Sequence, residues 1–538
     1  MAGPSTADVI AAHLVAAGVP RMFGYPGDSN IELMEATRVA GVPTVLASRE
    51  GTAAFMAQGH AMATGGLGVV TSTLGPGSSS LVNGVLNANL DRAPMLALSG
   101  QIDAARETFF THQVVDHTLL FSPVAKLAGR VLPGSAGTVM RRALRLATAE
   151  RPGAVHLTLN SDHARAEASD HEVLPVPVEP AVESVAVHRA PDAPDPLAML
   201  RGARRPIVMA GTGAVRQHAT AQLVAFAEAG GIPVITTAMA KGVLSEDHPS
   251  FAGVIEMGCS DLLEALIDGS DLVVMVGVDS SELFGRWKRT VPVLHVDTVA
   301  NIDQVWPAAV ELVGSIPAAL AWLTEALDGT PRFSDTELVA HRSRLDERLH
   351  AERTSGRLNP SDVMDVARAA MPRDTVATAD VGSHKLLVGQ MWTTYAPRGT
   401  LMTNGLSAMG FGMPAAIGAK LALPDTPVLA AIGDGGFMMV QSELSMAAAQ
   451  GLGLVVLVFS DQSLNRIEIK QAKLGYPSTA TRIEQTDLPA LAESMGCDGV
   501  RVEDMPALER AFSGVESRTR PLVIEAVIDP AQYTAQFS

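Results

Sequence analysis

Two acidic residues, each placed directly after a buried strand, constrain the fold of this 538-residue chain more than any other feature. Asp434 lies in the turn Gly433-Asp434-Gly435-Gly436, and Asp461 follows the apolar residues 454–459. An unbroken apolar run of this length is typical of a parallel strand that is buried on both faces. The two acids are 461 − 434 = 27 residues apart, which leaves room for one crossover helix centred on residues 441–450. A right-handed crossover then brings both strand ends to the same edge of the sheet.

Two carboxylates at that edge, beside the backbone N–H groups that open a helix, suit a diphosphate bound through Mg2+. Gly433, Gly435 and Gly436 are the candidate cofactor-binding residues, because a backbone without Cβ can approach phosphate oxygens closely. The alternative is an ordinary strand–turn–helix in which Asp434 only caps the helix. The tripeptide Gly-Asp-Gly alone would favour that alternative.

This segment resembles the binding motif of the thiamine diphosphate (ThDP) family, which opens with Gly-Asp-Gly and usually closes on Asn-Asn. Here Ser460-Asp461 stands at the close, and aspartate is an equally hard oxygen ligand. The resemblance implies that Asp434 and Asp461 ligate Mg2+, with the carbonyl of Ser463 as a third protein ligand.

The first hundred residues carry a second resemblance to the same family. Arg49-Glu50-Gly51 follows the apolar residues 42–47 and precedes residues 69–77 and 90–101, in the order of the family's pyrimidine-binding domain. The resemblance implies that Glu50 contacts the pyrimidine N1′ and drives the tautomer that deprotonates C2 of the thiazolium ring. The alternative is an acid at a helix N-terminus, favoured by the helix dipole; together with the distant diphosphate motif, the catalytic interpretation is preferred.

Composition and charge narrow the class of protein. Hydrophobic residues make up 47% of the chain and charged residues 18%, so large buried cores are expected, and the length predicts about three domains. The formal charge of −17, without Lys/Arg runs, argues against nucleic acid or an anionic membrane as partner. Cys259 and Cys497 are far apart, which fits a reducing cytoplasm. Neither a secretory signal nor an apolar span of membrane length is evident, so the expected localisation is cytoplasmic.

Two shifts in composition divide the chain. Residues 166–196, rich in Pro, Val, Glu and Ala, are interpreted as a linker, and residues 328–355 as a charged connector with a helix at 338–352. Short Val/Ile strands alternate with helical stretches, which predicts the α/β class with three doubly wound parallel-sheet domains. We expect a pyrimidine-binding domain over residues 1–165, a central domain over 190–328 and a domain for the ThDP diphosphate and Mg2+ over 356–530.

The central domain raises the question of a nucleotide. Gly211-Thr212-Gly213 after a strand is a fragment of a dinucleotide-binding loop and is weak evidence. Flavin-binding relatives carry an Arg-rich turn after the strand that ends at Gly277, and its Arg also meets the carboxylate of the second substrate. Leu283 replaces that Arg here, so FAD is not expected; Arg286 is a candidate substitute for the missing cation.

Within the ThDP family, local matches favour acetolactate synthase of the catabolic, flavin-independent type. Residues 111–116, running on to residues 120–126, resemble its active-site helix and the turn that follows. By this resemblance, Gln113 and Lys126 face the substrate. Met409 wedges between the two cofactor rings, and the carbonyl of Ser407 accepts from the 4′ nitrogen. The alternative for Met409 is core packing, for which methionine is well suited.

Two departures from the acetolactate synthase pattern concern the substrate. Asp28 stands where those enzymes carry a small or neutral residue, and with His112 it could protonate the reacting carbon and release an aldehyde. The alternative is that Asp28 caps the helix at residues 31–39 while His112 only hydrogen-bonds. Lys470, beside Gln471, lies where relatives contact the side chain of the acceptor. A cation there would favour a substrate with a second negative group, although most lysines are simply exposed.

The resemblance therefore implies a ThDP- and Mg2+-dependent lyase or transferase. It would decarboxylate a 2-oxo acid, with pyruvate the expected substrate, and ligate the remaining unit to a second carbonyl, as acetolactate synthase does. A decarboxylase that releases an aldehyde remains an alternative. A silent regulatory homologue is less favoured, because Glu50 and both metal acids are retained. The resemblance also implies a homodimer or homotetramer in which two subunits share each active site.

Overall fold

The computed structural model describes residues 3–174, 184–283 and 287–537. These residues form three α/β domains, each built on one sheet with helices on both sides. The prediction of three doubly wound parallel-sheet domains is confirmed. Arg286 lies outside the described residues.

The N-terminal domain has six parallel strands in the order 2-1-3-4-6-5. Every residue of β4 and β6 is buried, as a strand covered on both faces requires. The strands are β1 (Met22–Gly24), β2 (Thr44–Leu46), β3 (Gly68–Ser72), β4 (Met95–Gln101), β5 (Leu127–Arg130) and β6 (Ala154–Asn160). The helices are α1 (Thr6–Ala16), α2 (Ile31–Val39), α3 (Glu50–Thr64), α4 (Pro76–Leu90), α5 (His117–Phe121), α6 (Ala136–Thr148) and α7 (Ser161–Arg165).

The central domain has seven strands in the order 10-9-8-11-12-13-7. They are β7 (Val185–Arg189), β8 (Pro206–Ala210), β9 (Val234–Thr237), β10 (Phe251–Ile255), β11 (Leu272–Val276), β12 (Val293–Asp297) and β13 (Val310–Gly314). The helices are α8 (Pro196–Gly202), α9 (Thr212–Arg216), α10 (Thr220–Gly230), α11 (Ser260–Asp268) and α12 (Ile316–Thr324), and α13 (Asp335–Leu349) forms the predicted connector.

Strand β7 corrects the prediction that residues 166–196 are a linker throughout. It pairs antiparallel with β13, with Val187 opposite Leu312, so the central sheet starts before the predicted boundary at residue 190. Four of its five residues are exposed and the fifth is only partly buried. Backbone hydrogen bonds hold this edge strand, and therefore no alternation of buried and exposed side chains marks it in the sequence.

The C-terminal domain has six parallel strands in the order 15-14-16-17-19-18. They are β14 (Val376–Ala379), β15 (Thr400–Met402), β16 (Val428–Gly433), β17 (Val455–Ser460), β18 (Asp498–Val502) and β19 (Leu522–Val527). The helices are α14 (Pro360–Ala370), α15 (Ser383–Met391), α16 (Gly412–Ala422), α17 (Asp434–Val440), α18 (Glu443–Ala449), α19 (Asn465–Lys473), α20 (Leu488–Ser494), α21 (Met505–Ala511) and α22 (Tyr533–Gln536). The single crossover helix predicted between the two acids is in fact the pair α17 and α18.

The N- and C-terminal domains of the chain pack directly on each other through α3 and α16. A Cβ on Gly59 would lie 2.2 Å from the carbonyl oxygen of Ala415, and a Cβ on Gly418 would lie 2.0 Å from that of Met56. Only glycine allows two helix backbones to approach this closely. Helix α3, which begins with Glu50, is thereby fixed against the C-terminal domain. In the described parts of the chain, no helix combines the length and the apolar character needed to cross a membrane.

Candidate active site

A cavity of about 280 Å3 opens at the carboxyl edge of the C-terminal sheet. Its wall is formed where β14, β16 and β17 end and where α15, α17 and α19 begin. The following residues singled out in the sequence line it together: Ser407, Met409, Gly433, Asp434, Gly435, Gly436, Asp461 and Ser463. The parallel sheet explains this gathering, because strands β16 and β17 run side by side, with Ile432 opposite Val458.

Asp434 and Asp461 are joined through the backbone. The carboxylate of Asp434 accepts hydrogen bonds from the backbone N–H of Asp461 at 3.2 Å and of Gln462 at 2.7 Å. The carboxylate of Asp461 accepts from the N–H and the hydroxyl of Ser463 at 2.9 and 3.0 Å. Burial, together with the charge of Asp434, raises the pKa of Asp461 to about 7, and burial raises the pKa of Asp434. A divalent cation would relieve the repulsion between these acids.

Packing against neighbouring side chains is a second reason why the turn contains glycines. A Cβ on Gly436 would lie 2.2 Å from Oδ2 of Asp380, and a Cβ on Gly435 would lie 2.9 Å from Cδ1 of Ile483. A Cβ on Gly433 would lie 3.1 Å from Cε1 of His384. The explanation from phosphate approach alone is therefore incomplete, because Gly436 packs against a buried carboxylate.

Asp380 is a site residue that the sequence analysis missed. It is fully buried and accepts hydrogen bonds from the backbone N–H of Gly410 at 2.9 Å and of Phe411 at 3.2 Å. Burial raises the pKa of Asp380 to about 6. These bonds hold the turn that carries Met409, in which Ser407 has φ of +56° and Gly410 has φ of +81°. Asp380 thus positions Met409 at the cavity wall.

His384 was missed as well. Its ring lies nearly parallel to that of Phe459, with centroids 5.8 Å apart, and burial lowers its pKa to about 3, so the imidazole is neutral. Its Nε2 atom is buried and has no hydrogen-bond partner among the described residues, although the side chain lines the cavity. A signal existed: Asp380-Val381-Gly382-Ser383-His384 follows a buried strand and opens a helix, as Gly433-Asp434-Gly435 does.

Glu50 is the first residue of α3 and faces the start of α4, where a Cβ on Gly77 would lie 2.9 Å from its Oε1 atom. Among the residues that the structure describes, none donates a hydrogen bond to its carboxylate. The backbone on either side of Glu50 is held by Glu443 of the C-terminal domain. That buried carboxylate accepts from the N–H of Ser48 at 3.0 Å and from the hydroxyl of Thr52. Glu50 does not line the cavity at the carboxyl edge of the C-terminal sheet of its own chain.

Within the segment 111–126, the structure has one short helix, α5, and residues 111–116 precede it. These residues form a turn in which Gln113 has φ of +60°, and α5 begins only at His117, with Asp116 as its N-cap. A Cβ on Gly75 would lie 2.4 Å from the carbonyl oxygen of Gln113, so the turn packs on the loop before α4. Thr111, His112 and Gln113 are exposed.

The structure also corrects the alternative for Asp28. Its side chain does not cap α2, because the N-cap residue is Asn30, whose amide oxygen accepts from the N–H of Gly27 at 2.9 Å. Asp28 and His112 are both exposed, and no hydrogen bond links them. The ring of His112 meets that of Phe110 edge-on, with centroids 6.3 Å apart.

The side chains of two predicted substrate contacts, Lys126 and Gln471, are bonded to backbone groups of the protein. Lys126 precedes β5 and therefore lies at the amino edge of its parallel sheet, opposite the carboxyl edge where Glu50 begins α3. Its ammonium group donates to the carbonyl oxygens of Arg151 at 2.7 Å and Ala149 at 3.3 Å. Resemblance over a short segment does not show whether the lysine lies at the amino end or the carboxyl end of the neighbouring strand.

The side-chain amide of Gln471 is likewise occupied. It donates to the carbonyl oxygen of Thr479 at 3.0 Å and accepts from the N–H of Thr479 at 3.1 Å, which closes the loop after α19. Lys470 is exposed and is not among the residues of the cavity wall. From the same helix, Arg466 and Ile467 line the cavity instead.

A carboxyl group of the protein already occupies the fragment of a dinucleotide loop in the central domain. The buried carboxylate of Glu282 accepts from the backbone N–H of Thr212 at 2.9 Å, from the N–H of Asp279 at 2.8 Å and from the hydroxyl of Thr237 at 2.5 Å. Burial raises the pKa of Glu282 to about 7. An N–H group that a nucleotide-binding loop would offer to phosphate is thus taken by the protein's own side chain.

Comparison with known proteins agrees with this architecture. Residues 4–120 match the N-terminal TPP binding domain of thiamine pyrophosphate enzymes, residues 195–323 match their central domain, and residues 380–526 match their C-terminal TPP binding domain. The chain belongs to the family of thiamine pyrophosphate enzymes.

Within that family, the chain is similar to acetolactate synthases over almost its whole length. It is 30% identical to the probable acetolactate synthase large subunit of Methanocaldococcus jannaschii, over 98% of this chain and 92% of the relative. It is 28% identical to the acetolactate synthase of Bacillus subtilis, over 97% and 93% of the two chains. It is also 28% identical to the catabolic acetolactate synthase of Raoultella terrigena, over 97% and 95%. The protein is therefore a ThDP-dependent, acetolactate synthase-like enzyme.

Proposed function

We propose that this enzyme decarboxylates a 2-oxo acid, with pyruvate as the first candidate, and joins the remaining acyl unit to a second 2-oxo acid. The observation that carries the proposal is the cavity at the end of β16 and β17, where Asp434, Asp461 and His384 converge. When bound, ThDP supplies the electron sink for the bonding electrons that stay behind when CO2 leaves. The similarity to acetolactate synthases supports ligation as the second step.

The residues present fit a Mg2+-bound diphosphate. Asp434, Asp461 and the carbonyl of Ser463 would hold the metal, and Nε2 of His384 would bond to a phosphate oxygen. In residues 3–174, 184–283 and 287–537, no group of three or more Asp, Glu, His or Cys side chains is suited to a metal. The remaining ligands would therefore be phosphate and water oxygens, as Mg2+ prefers.

Two subunits would share each site. Apart from Met257, the lining of the diphosphate cavity comes from the C-terminal domain, so the cavity lacks the carboxylate of Glu50. A second copy of the chain would supply Glu50, whose carboxylate then holds and moves the proton at the pyrimidine nitrogen. We therefore propose a homodimer as the smallest active unit, with a homotetramer as a pair of such dimers.

Two further proposals concern the central domain and the compartment. The side chain of Glu282 supports an enzyme that works without FAD, since it occupies the N–H of Thr212 that a nucleotide phosphate would need. Both cysteines, Cys259 and Cys497, are buried and form no disulfide, which supports a reducing cytoplasm.

A decarboxylase that releases an aldehyde is the second candidate. Asp28 favours it, because the structure leaves this carboxylate outside the helix cap.

The test is product analysis of the purified enzyme with ThDP, Mg2+ and pyruvate, following CO2, acetaldehyde and acetolactate together. We expect one acetolactate for every two pyruvate consumed. Acetaldehyde in place of acetolactate would instead establish the second candidate.

A further inference from the structure

Arg466 lies in the wall between two cavities. One is the diphosphate cavity, and the other, of about 380 Å3, opens at the carboxyl edge of the central sheet between Ile255 and Trp287. Arg466 and Met257 are the residues common to both linings. A side chain at this place can reach a molecule that extends from the cofactor toward the central domain.

The guanidinium group of Arg466 has no protein counter-ion in contact. Within the described residues, no hydrogen bond or ion pair reaches it, and its close neighbour is the ring of Phe537, 5.5 Å from the guanidinium carbon. Burial lowers the pKa of Arg466 and the charge of Glu256 opposes this effect. An arginine stays charged at any physiological pH, so a partly buried guanidinium without a contacting anion is prepared for one from outside.

The other charged groups around Arg466 are already accounted for. Glu256 is buried, and its nearest cation is the ammonium of Lys385 at 3.7 Å. Arg289 pairs with Glu264 and Asp268, and the carboxylate of Glu282 is taken up by backbone N–H groups and the hydroxyl of Thr237. Asp434 and Asp461 are the proposed metal ligands and accept hydrogen bonds from the backbone at the ends of their strands. Lys288 also lines the second cavity, but its side chain is exposed. Of the two residues common to both linings, Arg466 is the charged one, and no anion among the described residues is in contact with it.

We infer that Arg466 binds the carboxylate of the acceptor 2-oxo acid; this inference rests on the ligation reaction proposed above. A guanidinium offers paired N–H donors that match a carboxylate. The donor substrate loses its carboxylate as CO2, so a cation bound there would stabilise the starting state more than the transition state. The acceptor keeps its charge throughout the reaction. Arg466 thus supplies the cation absent at Leu283, and it does so from α19.

The test is the product ratio of Arg466→Met and Arg466→Lys. Lys473→Met is the matched control, because Lys473 is exposed on the same helix. For Arg466→Met, we expect acetolactate formation to fall about 10- to 100-fold, the loss typical of a charge-assisted hydrogen bond. CO2 release should stay within about threefold of wild type, with acetaldehyde making up the difference, because the transition state of decarboxylation does not use this contact. Arg466→Lys should keep part of the ligation, and the control should behave as wild type.

Several results would overturn the inference. One is an Arg466→Met enzyme with the wild-type product ratio and wild-type KM for the acceptor. A parallel loss of CO2 and acetolactate would place Arg466 in the common first step instead. Loss of the rise in Tm on adding ThDP and Mg2+ would make Arg466 a cofactor-binding residue instead. A wild-type enzyme that forms acetaldehyde but no acetolactate would refute the proposed ligation and this inference together, whereas the first three results leave the proposed function standing.

Discussion

The carboxylate of Asp434 accepts a hydrogen bond from the backbone N–H of Asp461, so the protein itself fixes the second acid beside the first. The ends of β16 and β17 are thereby joined at the point where both strands leave the sheet. Burial of both acids raises their pKa, which disfavours two bare negative charges. A bound divalent cation would favour the charged form of both carboxylates.

Replacing Asp434 tests that arrangement. Asp434→Asn keeps an oxygen that can accept from Gln462 but removes the charge, so the loop should stay folded while ThDP affinity in the presence of Mg2+ falls by about 100-fold or more. The Kd for ThDP, measured by calorimetry, checks this. Asp425→Asn, an exposed change in the same domain, is the control. Equal affinity in the two variants would remove Asp434 from the metal site.

Mixed dimers test the sharing of the site. Glu50→Gln damages the pyrimidine half and Asp434→Asn the diphosphate half, and each variant alone should be inactive. A heterodimer isolated with two different affinity tags should recover about half of the wild-type turnover, because one of its two sites combines both intact halves. A heterodimer that stays inactive, although it assembles, would place both halves of each site within one chain.

The pH dependence of stability tests the buried carboxylate on the dinucleotide loop. The pKa of Glu282 is raised from 4.5 to about 7 in the folded protein, so between these values the folded chain holds a proton that the unfolded chain releases. The proton on Glu282 therefore contributes fully to the free energy of unfolding below pH 4.5. This contribution is lost as the pH rises toward 7, and the loss amounts to at most about 3 kcal/mol.

Glu282→Gln remains neutral at every pH and can still accept from Thr212. Between pH 5 and 7.5, the Tm of wild type should therefore fall by a few degrees more than the Tm of Glu282→Gln. Each kcal/mol lost from the free energy of unfolding lowers Tm by on the order of 2–4 °C. Glu325→Gln, at an exposed position of the same domain, should keep the wild-type slope. Parallel curves for wild type and Glu282→Gln would show that the folded pKa is ordinary.

The sequence predicts best where one physical pattern decides the structure. The apolar run predicts strand β17, and the convergence of Asp434 and Asp461 follows from the geometry of a parallel sheet. No sequence pattern predicts strand β7, because its side chains are mostly exposed and only its backbone is paired. Asp380 was missed for a different reason: its partners are backbone N–H groups some thirty residues later in the chain.

Side-chain direction was the weakest part of the prediction. Lys126 and Gln471 were expected to contact the substrate and Arg466 was not singled out, yet of these three residues only Arg466 lines the cavity. The other two are held by backbone groups of neighbouring loops. Such partners depend on how the loops fold, and no local pattern in the sequence shows them.

The central claim is ThDP-dependent decarboxylation driven by Glu50. The most direct measurement is CO2 release from pyruvate by wild type and by Glu50→Gln, with the ThDP affinity of both determined in the same samples. We expect CO2 from wild type only when ThDP and Mg2+ are present, and at least about 100-fold less from Glu50→Gln at nearly unchanged ThDP affinity, as expected for loss of a proton-transfer group. Undiminished CO2 release by Glu50→Gln would show that Glu50 does not drive the decarboxylation.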